Sequence, residues 1–148
     1  MRPELRMVAT ADFTKAKSRA RSSRIRSLLT GRNDDLPSLD AAKESVGSMS
    51  ECYAGCDSIP VDHIVGSEGR SPDFNRAFLP RREFMRHRWQ NIDAAYYAGT
   101  PLPAVKVVKI GDSYYVRDGN HRVSVARMHK IAYIDAEVTR LYAAHAEA

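Results

Sequence analysis

Cysteine is nearly absent from this chain. Cys52 and Cys56 are the only two in 148 residues, too few for a disulfide framework. Long apolar runs are also missing. No stretch approaches the roughly 20 residues needed to span a bilayer, so no membrane is expected as a partner. No apolar block follows Arg2 or Arg6, so the N-terminus does not read as a secretory leader. A cytoplasmic location is the default expectation. No internal repeat is present, which argues against solenoids and propellers. Acidic residues are missing from one stretch. Between Phe13 and Asn33 there are seven basic residues and no acid: Lys15, Lys17, Arg19, Arg21, Arg24, Arg26 and Arg32.

What is present suits a folded domain. The chain is 43% hydrophobic, with four Phe, seven Tyr and one Trp, enough for a core at this length. Net charge is +5, which favours an anionic partner such as nucleic acid or nucleotide. A second basic cluster, Arg81, Arg82, Arg86 and Arg88, adds to the first.

Along the chain, residues 1–9 read as disordered. Ala11 to Thr30 reads as a helix, with Phe13, Ala16, Ala20, Ile25 and Leu28 at roughly helical spacing and Gly31 as its stop. Its outer face is strongly basic and its apolar face weak, so it must dock on the domain, on a second copy of the chain, or on an anion. Residues 32–37 form a polar break. Ser38 can cap a short helix through Val46. Residues 47–57 read as a Gly- and Ser-rich linker.

From there the rhythm is α/β. Ile59 to Val65 reads as a strand, with Pro60 favouring an edge, followed by an aperiodic loop over 66–79. Pro80 suits the first turn of a helix to about Ala98, with Met85, Trp89, Ile92 and Tyr96 as its apolar stripe. Gly99 and Pro101 stop it. Ala104 to Ile110 and Ser113 to Arg117 form a hairpin through Gly111-Asp112. A helix over 120–129, a strand over 132–139 and a frayed helical tail complete the chain. The expected fold is α/β (α+β), a small mixed sheet with flanking helices. Residues 1–50 are a basic helical extension and linker, 51–142 the domain, and 143–148 a tail.

The densest chemistry lies at Asp118-Gly119-Asn120-His121-Arg122, between a strand and a helix. Free N–H groups at a helix start, with a cation beside them, suit a phosphate. Gly119 permits positive φ and close approach of a ligand. Asn120 or Asp118 can cap the helix. Arg122 can grip phosphate oxygens, and Ser124 is a further donor. His121 can act as a general acid or base. Asp118 can orient His121, hold Mg²⁺ or accept from a hydroxyl. The plainer alternative stays open: Asp-Gly is an ordinary turn, and an Arg at a helix start often makes only a structural salt bridge.

The motif, the Pro-Leu-Pro-x-Val segment over 101–105 and the element order over 58–140 together resemble the ParB/sulfiredoxin superfamily. Partition ParB proteins carry Gly-Glu-Arg-Arg-x-x-Ala at this place, sulfiredoxins Gly-Cys-His-Arg, and free-serine kinases Asp-Gly-His-His-Arg. The resemblance implies a nucleoside triphosphate, CTP or ATP, with its phosphates on Gly119, Asn120 and Arg122, Mg²⁺ as companion, and Arg70 and Ser67 contributing from the first loop. It implies NTPase or nuclease activity and an association with DNA. The kinase branch implies a phosphotransferase with Glu68 as base. Sulfinic-acid reduction does not follow, because Asn120 replaces the catalytic cysteine. No helix-turn-helix segment follows the motif. A third reading is a DNA-binding or interaction module, with Lys15, Lys17, Arg19, Arg21, Arg24 and Arg26 as the contact face.

Other signals are weaker. Cys52-Tyr-Ala-Gly-Cys56 lacks a second ligand pair, so no resident metal centre is expected. His63 and His129 read as packing or surface residues, and Trp89 as core.

Overall fold

The computed structural model describes residues 2–69 and 71–143. A five-stranded mixed sheet is flanked by four α-helices, in the order α1 (Pro3–Thr30), α2 (Leu39–Val46), β1 (Met49–Pro60), β2 (Ile64–Ser67), α3 (Arg86–Tyr97), β3 (Val105–Ile110), β4 (Ser113–Asp118), α4 (Asn120–Met128) and β5 (Tyr133–Ala143). The strands lie in the order β1-β5-β3-β4-β2. β1 is antiparallel to β5, β5 parallel to β3, β3 antiparallel to β4, and β4 parallel to β2. The α/β class and the mixed sheet agree with expectation.

Strand alternation sorts the side chains into two layers. Val107, Tyr114 and Val116 point into the main core with Phe13, Phe74, Phe78, Trp89 and Val123. Val108 and Tyr115, one position away, join Leu39 and Leu141 in a smaller cluster on the opposite face. α2 covers that second face. Ser38 caps α2 as anticipated, its Oγ accepting from the Ala41 N–H at 3.1 Å. Full burial of each large apolar side chain stabilises the fold by about 1.5–3 kcal/mol.

Several segments differ from the sequence reading, among them Ile59 to Val65, which is split between the end of β1, a 3₁₀ turn over Val61–His63 and the start of β2. First, α1 begins at Pro3, not near Ala11. Proline suits a first helical turn, and Ala9 is buried there. The buried seam is Ala9, Phe13, Ala16 and Ala20, spaced 4, 3 and 4. It packs on α3 through Phe13, whose ring meets Trp89 edge-on at 5.6 Å. Ile25 and Leu28 leave that seam and stand 54% and 74% exposed. Gly31 ends the helix with φ 73°.

Second, residues 47–57 are not a linker. β1 pairs with β5 from Met49–Ala143 to Pro60–Tyr133, with one bulge between Tyr53 and Gly55. Cys52 and Cys56 are free thiols exposed on this edge strand. The expected boundary at 50/51 falls inside β1. Pro60 does occupy an edge, though at the end of its strand.

Third, Pro80 does not open a helix. A 3₁₀ turn over Glu83–Met85 intervenes, and α3 starts at Arg86. Of the expected stripe, Met85 and Trp89 are buried while Tyr96 is 39% exposed. Tyr142 and Ala143 belong to β5, not to a helical tail. The rest of the expected tail, residues 144–148, lies outside the described residues.

Candidate functional site

β2 and β4 are parallel neighbours, so their carboxyl ends face the same way. Ligands of open α/β sheets gather beyond such ends. The Glu68 N–H donates to the Val116 carbonyl at 2.8 Å, which fixes the first loop beside the motif turn. Gly119 then turns the chain into α4 with φ 109°. A Cβ there would lie 2.7 Å from Val105 Cγ1 and 3.1 Å from Arg122 Nη2. Glycine is required by packing against β3 and by the left-handed backbone. No side chain caps α4, so neither Asp118 nor Asn120 has the capping role expected of it. The N–H groups of the first turn lack intrahelical acceptors.

These elements enclose a cleft of about 340 Å³. Glu68, Arg117, Asp118, Gly119, Asn120, His121 and Arg122 line it, and Arg88 and Ile92 close it from α3. Its charges are mostly paired. Arg122 donates through Nη1 to the carbonyls of Pro103 and Ala104 at 2.6 and 3.1 Å, and through Nη2 to Asp118 Oδ2 at 3.2 Å. It ties the motif turn to the segment that leads into β3. Arg117 clamps the Glu68 carboxylate, with Nε and Nη2 3.1 and 3.0 Å from Oε2, and reaches Glu51 on β1 at 3.0 Å. The bonds to Glu68 are the main cause holding the Arg117 guanidinium above its ordinary pKa. Arg88 is exposed and, among the described residues, has no ion-pair partner.

Asn120 is 8% exposed, and its Oδ1 has no hydrogen-bond partner. A buried amide oxygen of this kind costs about 1–3 kcal/mol until a donor reaches it. His121 is 9% exposed and meets the edge of Phe74 with ring centroids 5.5 Å apart. Asp118 stays largely in solvent.

Two expected ligands lie elsewhere. Ser124 is fully buried, donates to the Phe78 carbonyl, and accepts from Trp89 Nε1 at 2.9 Å. That hydroxyl serves the core, since a buried indole N–H needs an acceptor. Ser67 is also fully buried, with Oγ 3.4 Å from the Val116 carbonyl, and does not line the cleft. Arg70 lies outside the described residues. Arg88 and Arg117 were not singled out as site residues. Arg117 stands one position before the motif, and Arg88 belongs to the second basic cluster.

The two basic clusters meet. Lys17, Arg21 and Arg24 of α1 share a groove of about 300 Å³ with Arg81 and Arg82. Arg81 is committed to Asp35 at 2.9 Å and Asp34 at 3.5 Å. Lys17 pairs with Glu83 at 2.8 Å. Lys15, Arg19, Arg21, Arg24 and Arg26 are exposed. No described helix is long and apolar enough to cross a membrane.

No protein-family model matches the chain, and no curated protein does. Among solved structures it is similar to a sulfiredoxin from Arabidopsis thaliana. The identity is 16% and the TM-score 0.36, over 56% of this chain and 82% of that one. A likeness this slight adds nothing to what the strand order says about the fold.

Proposed function

We propose that this chain is a nucleotide-binding α/β domain whose ligand places its phosphates on the first turn of α4. The observation that carries the reading is the cleft itself: the first-turn amides of α4 and Arg88, which has no ion-pair partner among the described residues, border one volume. The amides and Arg88 suit phosphate oxygens. Three arginines against two carboxylates leave little net positive charge in the cleft, so a triphosphate needs Mg²⁺. Asp118, largely in solvent, is the more open oxygen donor for it, since Arg117 holds the Glu68 carboxylate. The motif's resemblance to ParB-type and kinase turns narrows the ligand to CTP or ATP. Hydrolysis would fall to His121 and Asp118. Glu68 fits less well as a phosphotransferase base, because Arg117 already occupies its carboxylate.

Calorimetric titration with CTP and ATP, with and without Mg²⁺, tests the reading. Arg88→Ala is the informative variant, because Arg88 holds nothing else together. Its removal should weaken nucleotide binding about tenfold or more. Absence of binding at millimolar nucleotide, or an unchanged affinity in Arg88→Ala, overturns the reading.

A DNA association is a second reading, and the convergence of two basic clusters on one groove favours it. Duplex affinity should then fall steeply with salt. Replacing Lys15, Arg21, Arg24 and Arg26 by Gln should flatten the log–log salt slope by up to about 0.9 for each phosphate no longer neutralised. An unchanged slope rules α1 out as the contact face.

A further inference from the structure

Away from the cleft, three helices bring a second polar cluster together. Asp12 of α1 adjoins the core residue Phe13. Asp93 of α3 lies one turn beyond Trp89 on the same face. His129 ends α4. One ligand atom from each falls within 4.8 Å of the others. His129 Nε2 is 2.6 Å from Asp93 Oδ1 and 3.7 Å from Asp12 Oδ2.

Asp93 is fully buried, and its Oδ2 has no hydrogen-bond partner. Among the described residues, no lysine or arginine pairs with either carboxylate. Two facing carboxylates with an imidazole are a poor arrangement in a closed space. Each unpaired buried charge costs several kcal/mol. A cation serves all three groups at once.

The surroundings are those of a held site. The Tyr97 hydroxyl donates to Asp12 Oδ2 at 2.9 Å, the kind of outer contact that orients a ligating carboxylate. The Tyr96 ring stacks on His129 with centroids 4.3 Å apart, and Tyr97 meets its edge at 5.2 Å. One nitrogen and two carboxylate oxygens suit a borderline transition metal better than Ca²⁺ or Mg²⁺, which favour all-oxygen shells. Ligand atoms about 2.0–2.1 Å from a tetrahedral Zn²⁺ sit roughly 3.3 Å from one another. The two distances from His129 bracket that value, and the pair at 2.6 Å opens by a small side-chain rotation.

We propose that Asp12, Asp93 and His129 form a site for one divalent transition-metal ion of the Zn²⁺ class, which clamps α1 onto α3 and α4. The site is independent of the nucleotide reading, since none of its ligands lines the cleft. Its consequence is mechanical. α1 carries the basic face but has a short apolar seam, and the ion fastens it through Asp12.

The test uses the full chain, stripped with a chelator and titrated with Zn²⁺. Expected are one equivalent bound per chain and a rise in Tm of about 5–10 °C at a hundredfold excess over Kd. Asp12→Asn and His129→Gln should each abolish the equivalent and the rise. Asp12→Asn leaves the core intact and decides the matter if His129→Gln does not fold. The double variant Cys52→Ser/Cys56→Ser should keep both effects. No rise in Tm at millimolar Zn²⁺, a rise unchanged in Asp12→Asn, or an equivalent that disappears with the two cysteines would each overturn the proposal.

Discussion

The cleft beside Gly119 and the cluster beneath α1 both gather carboxylates, yet they handle them in opposite ways. In the cleft each acid has an arginine: Glu68 has Arg117 and Asp118 has Arg122. The pairs are reached by solvent, so each contributes little to stability. Their service is to hold side chains at the rim while Arg88 and the α4 amides stay available. In the cluster, Asp93 and Asp12 face one another across the His129 imidazole, with the Tyr97 hydroxyl on Asp12. Burial pushes the His129 ring below its ordinary pKa, against the pull of Asp12. Among the described residues no lysine or arginine balances these acids. The cleft neutralises its acids with arginine, whereas the cluster serves its acids only with an imidazole and a tyrosine hydroxyl.

The contrast breaks most severely at Gly119. An alanine there must hold a left-handed backbone and push its Cβ against Val105, a branched side chain with little freedom to move. Gly119→Ala should destabilise the chain by about 3 kcal/mol. Denaturant unfolding reads this as a lower midpoint at unchanged slope. Arg88→Ala, at the same cleft, should leave stability within about 0.5 kcal/mol. If the two variants unfold alike, the cleft is not split into a rigid turn and a free cation.

This division was partly legible in the sequence. The motif turn, the hairpin at Gly111-Asp112 and the cap at Ser38 were readable because their chemistry sits within a few consecutive residues. β1 was not. It is an edge strand exposed on both faces over much of its length, so it carries no alternation to read. The α1 seam was half legible. Phe13, Ala16 and Ala20 kept helical spacing, but nothing local tells that Ile25 and Leu28 run past the body they would pack on. The cleft and the cluster diverge in the same way. Most of the cleft's lining residues are adjacent in the chain, whereas Glu68 arrives through a parallel strand pair. Asp12, Asp93 and His129 come from three separate helical segments, and only tertiary packing brings them together. Ser124 shows the reverse error: adjacency to the motif put it among ligands, while helix geometry turned it into the core against Trp89.

The smallest effect sharpens the comparison at the other place where α1 is fastened. Lys17 reaches Glu83 at 2.8 Å, and Arg86 binds the same carboxylate. This acid sits in solvent between two cations, the inverse of Asp93. The Arg86 hydrogen bond first, and that from Lys17 second, hold the Glu83 carboxyl down to about 2 from an ordinary value of 4.5. A group whose pKa is lower in the folded state stabilises that state at pH above its unfolded value. The contribution is therefore present above about pH 4.5 and fades as pH falls toward 2. Solvent and salt screen the pair, so the change in Tm should be small and should shrink further in high salt. Glu83→Gln should lower Tm slightly at neutral pH and converge with the parent chain near pH 2. A variant whose deficit persists undiminished to that pH would show that packing of the side chain, not its charge, joins α1 to the turn before α3.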